Sequence, residues 1–275
     1  MYAIVFTWIR PVLALTLLVP GTTPANITQR LSDTPLPADK GRLLFVEADR
    51  RNSGYRDMQV SLQMVLVSPR GGRTERSLRI QQLETDDDGD KVLVVFDLPA
   101  SIRGTALLSY AHLQTVDDQW LFLPALKRIK KIASRNKTGS FVGSEFAFED
   151  LSPQEVEKYD YEYVGEGEVD GEATYIVDRM PRDPFSGYNR QRVWLDQIHL
   201  RVLRIDYFDR FDNNSKQLSF DGYKLYADVF WKPSFMKMIN LRTQKSTELY
   251  WQDYMFQTGL SEDRDFSVNS LRRVR

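Results

Sequence analysis

Met58, Val60, Leu62, Met64 and Leu66 alternate with Gln59, Ser61 and Gln63. Side chains of a strand point to its two faces in turn, so this period of two predicts a half-buried strand. Pro69-Arg70-Gly71-Gly72 turns the chain, and Leu78 and Ile80 in phase predict a second strand over 73–84. Asp86-Asp87-Asp88-Gly89-Asp90 reads as a hairpin turn. It lacks the Gly and the bidentate Glu at the loop positions a calcium-binding EF-hand requires. Residues 91–98 are apolar on both faces (Val92, Leu93, Val94, Val95, Phe96), as a central strand is. Strands are also expected over 104–113, 119–123 and 127–133. In the last of these Lys127, Ile129 and Lys131 alternate as in a strand, while Ile129 and Ile132 would share a helix face; the flanking strands favour a strand.

From Tyr159 onward the pattern is a meander. Strands are expected around 161–164, 174–177, 192–195, 202–207, 218–225, 235–241 and 247–251. Turns fall at Asp170-Gly171, Asp183-Pro184, Ser186-Gly187 and Asp212-Asn213-Asn214. This even spacing predicts a mainly β fold with a single curved antiparallel sheet and a few helices. One helix is expected over 37–52, with Leu43, Leu44 and Val46 opposed to Arg42, Glu47 and Arg50, and Gly54 as its stop. A second, short helix is expected from Ser152, Pro153 and Glu155 to near Tyr159, because these residues fit a cap, a first turn and a capping box. A helical turn is expected from Ser267, and residues 26–36 read as a mobile leader.

Composition narrows the functional classes. Against 37 Lys and Arg stand 38 Asp and Glu, a net charge of −1, so no global field draws the chain to nucleic acid. Residues 1–25 read as a cleavable signal peptide: Arg10, an apolar run over 12–19, then Thr23-Pro24-Ala25. The run falls short of the ~20 residues a membrane span needs; the rival reading is an uncleaved anchor. No linker divides 26–275, which read as one domain. Cysteine is absent, so there is no disulfide and no residue to carry a lipid. A periplasmic location, without the protein itself being a lipoprotein, is the expectation.

The catalytic inventory is thin. Only His112 and His199 are available, thiol chemistry is excluded, and no HExxH, GxSxG or phosphate-cradling glycine loop occurs. His112, in phase with Leu108 and Tyr110, reads as a core or edge histidine. A binding protein with no cofactor and no metal is expected rather than an enzyme. The 15 Phe, 13 Tyr and 5 Trp either fill an ordinary core or line a cavity, and the residues alone leave both open.

Residues 119–151 combine an apolar opening, the basic run Lys127, Arg128, Lys130 and Lys131, a polar loop over 134–143, and Phe146 and Phe148. Such a stretch suits a mobile, positively charged lip beside an apolar surface. The runs DDQWLFLPALKRIKKIA (117–133), GSFVGSEFAFEDL (139–151) and DLPASIRGTALLSY (97–110) resemble the outer-membrane lipoprotein-sorting family. These are LolA-like periplasmic proteins, here of the divergent subfamily often found beside export pumps. The resemblance runs from about residue 43 to the C-terminus. It implies an incomplete antiparallel β-barrel with helices across its opening, and acyl chains held between them. On that footing the cavity candidates are Leu62, Met64, Leu66, Trp120, Phe122, Phe146, Phe148, Tyr161, Tyr163 and Trp194. Lys127, Arg128, Lys130 and Lys131 are candidates for a lipid head group or an acidic partner. The 134–143 loop and the 37–52 helix are candidate lids. The implied partners are acyl chains of a lipid or lipoprotein and an inner-membrane RND-type transporter, with the protein a monomer. The alternative is a periplasmic regulatory domain of the same fold that binds a membrane protein. The functional residues of the best-known carrier find no match position by position, so the resemblance carries over fold and binding mode only.

Overall fold

A computed structural model of the chain describes residues 27–274. The expected signal peptide, 1–25, lies outside them. The alternating stretch at 58–66 forms β1 (Asp57–Val67), followed by β2 (Arg73–Leu83), β3 (Lys91–Leu98), β4 (Ala106–Tyr110), β5 (Asp118–Leu123) and β6 (Arg128–Lys131). After residue 158 come β7 (Tyr159–Val169), β8 (Glu172–Pro181), β9 (Tyr188–Asp196), β10 (Val202–Asp209) and β11 (Asn214–Asp221). A small hairpin, β12 (Lys224–Tyr226) with β13 (Phe230–Lys232), precedes β14 (Phe235–Asn240) and β15 (Ser246–Phe256). The single strand expected over 218–225 is therefore split. Gly222, at φ +61°, bends the chain out of the ladder, and the Ser234 N–H closes the bend on the carbonyls of Asp221 and Gly222, each at 3.2 Å.

All strands but the small hairpin join one 13-stranded sheet in the order β6-β5-β4-β3-β2-β1-β15-β14-β11-β10-β9-β8-β7. Every pairing in it is antiparallel, and β15 closes on β1 from Met58↔Phe256 to Val67↔Ser246. Two successive meanders thus meet at β1 and β15, and the free edges are β6 and β7. Residues from both halves, such as Val94 and Val193, belong to one core cluster. A single sheet can bring its two ends to one core only by curving around it, so the face that carries this cluster is concave.

Two helices lie on that face. α1 (Ile27–Asp33) buries Ile27 and Leu31, which corrects the expectation of a mobile leader over 26–36. α2 (Pro37–Asn52) starts with Pro at its first turn and buries Gly41, Leu44, Phe45 and Glu47. The helix expected from Ser152 does not form. Ser152 is extended, ending the 3₁₀ turn Glu149–Leu151, and Glu155 is extended ahead of the 3₁₀ turn Val156–Lys158. The capping-box residues bond elsewhere: Glu155 accepts the Asp90 N–H at 2.8 Å, and the Ser152 hydroxyl accepts from the Gln119 amide at 3.3 Å.

The opposite face of β3–β5 is also covered. The C-terminal segment, a π-turn at Glu262–Phe266 and a 3₁₀ turn at Val268–Arg272, buries Phe266 and Leu271 against Leu93, Val95, Ala106, Leu108 and Phe122. Ser267 caps the second turn by accepting the Ser270 N–H, as its sequence led us to expect.

Candidate functional site

β6 and β7 follow one another in sequence yet occupy opposite edges of the sheet. Residues 132–158 must therefore cross the concave opening from rim to rim. They do so packed down rather than as a mobile lip. Phe141 is wholly buried, stacked on Phe96 at 5.5 Å and edge-on to Phe148 at 5.6 Å. Polar ties hold the crossing to the sheet. Arg76 donates to the Val142 carbonyl at 2.5 Å, the Glu145 N–H to the Thr247 hydroxyl at 2.9 Å, and Lys216 to the Glu145 carbonyl at 2.8 Å. Lys137, buried, donates to the Asp117 carbonyl at 2.5 Å. Its burial lowers the pKa of its ammonium against the pull of Asp117.

Between this crossing and the sheet lies an apolar cavity of about 380 Å³, lined by Leu62, Met64, Ile80, Phe146, Met236 and Leu249 among others. Trp251 also lines it, and the buried indole N–H of Trp251 has no hydrogen-bond partner among the described residues. A second chamber, of about 620 Å³, lies beside α2 and the β12–β13 hairpin. The two share Gln154, Phe220, Lys232 and Pro233 in their walls. A smaller space of about 230 Å³ continues past Gln154 toward Glu149 and Asp150. Volumes of this order are those of small-molecule pockets in general.

Three of the titratable groups around these spaces, Glu149, Asp150 and Lys232, are displaced from their usual behaviour. Burial, with Asp150 nearby, pushes the Glu149 carboxyl up to about 7, against hydrogen bonds from Ser186 at 2.7 Å and the Gly187 N–H at 3.0 Å. Burial raises Asp150 too, against the charge of Lys216. Burial lowers the Lys232 ammonium to about 8; it donates to Asn52 at 3.0 Å and lies 4.9 Å over the Tyr55 ring. Arg179 is buried, donates to Gln191 at 2.7 Å and Gln154 at 3.3 Å, and packs on the rings of Tyr159 and Phe45. Among the described residues no group of three or more His, Cys, Asp or Glu is placed to hold a metal ion.

The structure distributes the ten cavity candidates unevenly. Leu62, Met64 and Phe146 line the apolar cavity. Tyr161 is in the same core, and Leu66, Phe148 and Tyr163 pack at its margin. Trp120 and Phe122 lie on the other face, beneath the C-terminal segment, because Gln119 and Leu121 hold the inner positions of β5. Gln119 is fully buried there, donating to Ser109 at 3.0 Å and the Phe148 carbonyl at 2.7 Å. Trp194 alternates with the core residues Val193 and Leu195, so it points outward, where the Arg204 guanidinium stacks at 4.6 Å. The four basic candidates gather on and beside the edge strand β6 and are all exposed. Lys131 pairs with Asp118 at 2.7 Å; Lys127, Arg128 and Lys130 make no ion pair among the described residues. Sequence reasoning missed Arg179 and Lys232. For Arg179 a signal existed: it stands in phase with Tyr175 and Val177 on β8, a cation among apolar residues.

A LolA superfamily protein from Nitrosomonas europaea shares the fold at 17% identity, covering 85% of this chain and 98% of that one with a TM-score of 0.67. A DUF1329 family protein from Desulfovibrio piger is 29% identical over 86% of this chain and 100% of its own, with a TM-score of 0.81. A proposed outer membrane lipoprotein-sorting protein domain from Vibrio parahaemolyticus is 44% identical, again over 86% and 100%, with a TM-score of 0.83. A family model described as an uncharacterized protein family matches residues 88–273. No curated protein sequence matches the chain. The chain belongs to the outer-membrane lipoprotein-sorting protein family.

Proposed function

We propose that the chain is a periplasmic carrier that shelters acyl chains of a lipoprotein or other lipid inside its open barrel and passes them toward the outer membrane. The observation that carries this reading is the apolar cavity beneath the crossing segment. Burial of each methylene is worth about 0.8 kcal/mol and needs no directional partner, so an alkyl chain gains ample affinity from such a wall. Residues 26–275 form the binding domain in this reading, and 1–25 direct export. The protein binds and does not catalyse. The exposed cations of β6 suit an acidic partner or lipid head group, and the resemblance to the pump-associated subfamily suggests an RND-type transporter as that partner.

The test is to purify the exported protein from periplasm without detergent, extract it with organic solvent and identify lipid by mass spectrometry. Stoichiometric lipid is expected. A protein that is empty and stays empty when lipids are offered at saturation rejects the carrier, and points to a regulatory domain that binds a membrane protein.

A further inference from the structure

Two cations beside these spaces, Arg179 buried and Lys232 half-buried, meet carboxylates only at a distance, Asp150 and Glu84 respectively. Arg179 and Lys232 both line the 620 Å³ chamber, and neither makes an ion pair among the described residues; their bonds are to the neutral side chains of Gln191, Gln154 and Asn52. The other basic residues of that chamber are committed. Arg50 and Arg51 each hold Glu47 at 2.8 Å, and Arg201 holds Glu172 at 2.6 Å and Asp196 at 2.9 Å. The lining acids are Asp49 and Asp228. Asp49 is raised by burial and by Glu157 and Glu84, so it competes weakly for a cation. Taking a guanidinium or ammonium out of water without an anion is costly, and such a charge is expected to acquire one.

The chamber does not stand alone. It shares Lys232, Gln154, Phe220 and Pro233 with the apolar cavity. At the apolar end the unpartnered indole N–H of Trp251 is a donor without an acceptor. Charge at one end, hydrocarbon surface at the other and a lone donor in the apolar wall together describe the outline of an anionic amphiphile.

We infer that the two spaces form one compound site for a lipid with an anionic head. The alkyl chain occupies the cavity of Leu62, Met64 and Phe146, and a carboxylate or phosphate lies against Arg179 and Lys232. This rests on the carrier reading and deepens it, since it names an anionic lipid as cargo. Arg179 can present two parallel N–H donors to such a head, and Lys232 a point charge.

The experiment is isothermal titration of the full chain, freed of bound lipid, with palmitate and hexadecanol below their aggregation limits. The two probes share a chain and differ in head charge. Palmitate is expected to bind at least about tenfold more tightly than hexadecanol, and Arg179→Gln and Lys232→Gln are each expected to erase about that factor for palmitate while shifting hexadecanol less than about twofold. Palmitoyl lysophosphatidate, titrated in parallel, tells a phosphate head from a carboxylate by which of the two binds more tightly and responds to the same variants. Equal affinity of the unmodified chain for palmitate and hexadecanol overturns the head-group site and leaves the carrier intact. So does an equal loss of both probes in Lys232→Gln, a half-buried position whose test does not depend on whether Arg179→Gln folds. Binding of none of the three probes rejects the carrier reading itself.

Discussion

Phe141 shows how one side chain secures the interior. It is the crossing segment's wholly buried anchor, stacked on Phe96 and edge-on to Phe148. Phe141→Ala leaves a cavity that the sheet cannot collapse to fill, and is expected to cost about 3–5 kcal/mol by denaturant unfolding. A loss below about 1 kcal/mol would mean that the crossing is not seated as described. Little of this was legible in the sequence, where Phe141 sits in a Ser- and Gly-rich loop that reads as mobile. What buries it is topology: the segment has to cross the opening, and its aromatic residues turn down. Trp120, Phe122 and Trp194 show the converse. Their alternation placed them correctly on strands, but a period of two does not say which face is inside. Gln119, a polar residue, took the inner position because Ser109, Ser152 and the Phe148 carbonyl meet its amide.

At the scale of elements, α2 meets the sheet through Gly41. A Cβ there would lie 3.0 Å from the Tyr161 Cβ, 3.1 Å from Val177 and 3.2 Å from the Glu162 nitrogen. Two of these contacts are to backbone or to a Cβ fixed by it, so the strand cannot yield cheaply. Gly41→Val is expected to destabilise by about 2–3 kcal/mol despite removing a helical glycine, with α2 displaced from β7 and the fit checked by thermal unfolding. A variant as stable as the parent would show that α2 lifts freely, as a lid would. β6 presents a different case. Its exposed cations blunt a sheet edge that would otherwise invite pairing with another chain, and Lys131 is already tied to Asp118 and lies over Trp120. Reversal of Lys127 and Lys130 to Glu is expected to leave the melting temperature within about 2 °C of the parent, because exposed charges contribute little to stability, while transfer to an acceptor or docking to a partner weakens. Failure to fold would make those residues structural. The helix at 37–52 and the positions of most strands along the chain were legible because periodicity reports burial on one side; the closure of β15 on β1 was not. The turns at 149–158 were not, since Ser152 and Glu155 look like a cap until their partners on β5 and the 85–90 turn are known.

Among the described residues two carboxyls are pushed up to about 7, Asp90 in the turn before β3 and Glu149 within the crossing segment. Burial and Glu155 raise Asp90 to about 7, and burial and Asp150 raise Glu149 to about 7. With folded values above the unfolded ones, near 4, the native state binds more protons than the unfolded state between about pH 4 and 7. Stability is therefore greatest at the acid end of this window and is lost as pH rises through 7. Glu47 acts oppositely: hydrogen bonds from Arg50 and Arg51 lower it to about 2, so its contribution is present above the unfolded value and lost only as pH falls toward 2. The two effects do not overlap, and the maximum is expected near pH 5. Each raised carboxyl is expected to cost about 1–2 kcal/mol at pH 8 once solvent screening is allowed for. Glu149→Gln carries a neutral side chain at every pH, keeps an acceptor for Ser186 or Gly187, and should remove about half of the fall in melting temperature between pH 5 and pH 8. A parent protein that melts at the same temperature at both pH values would show that water reaches these carboxyls and that burial does not hold them protonated.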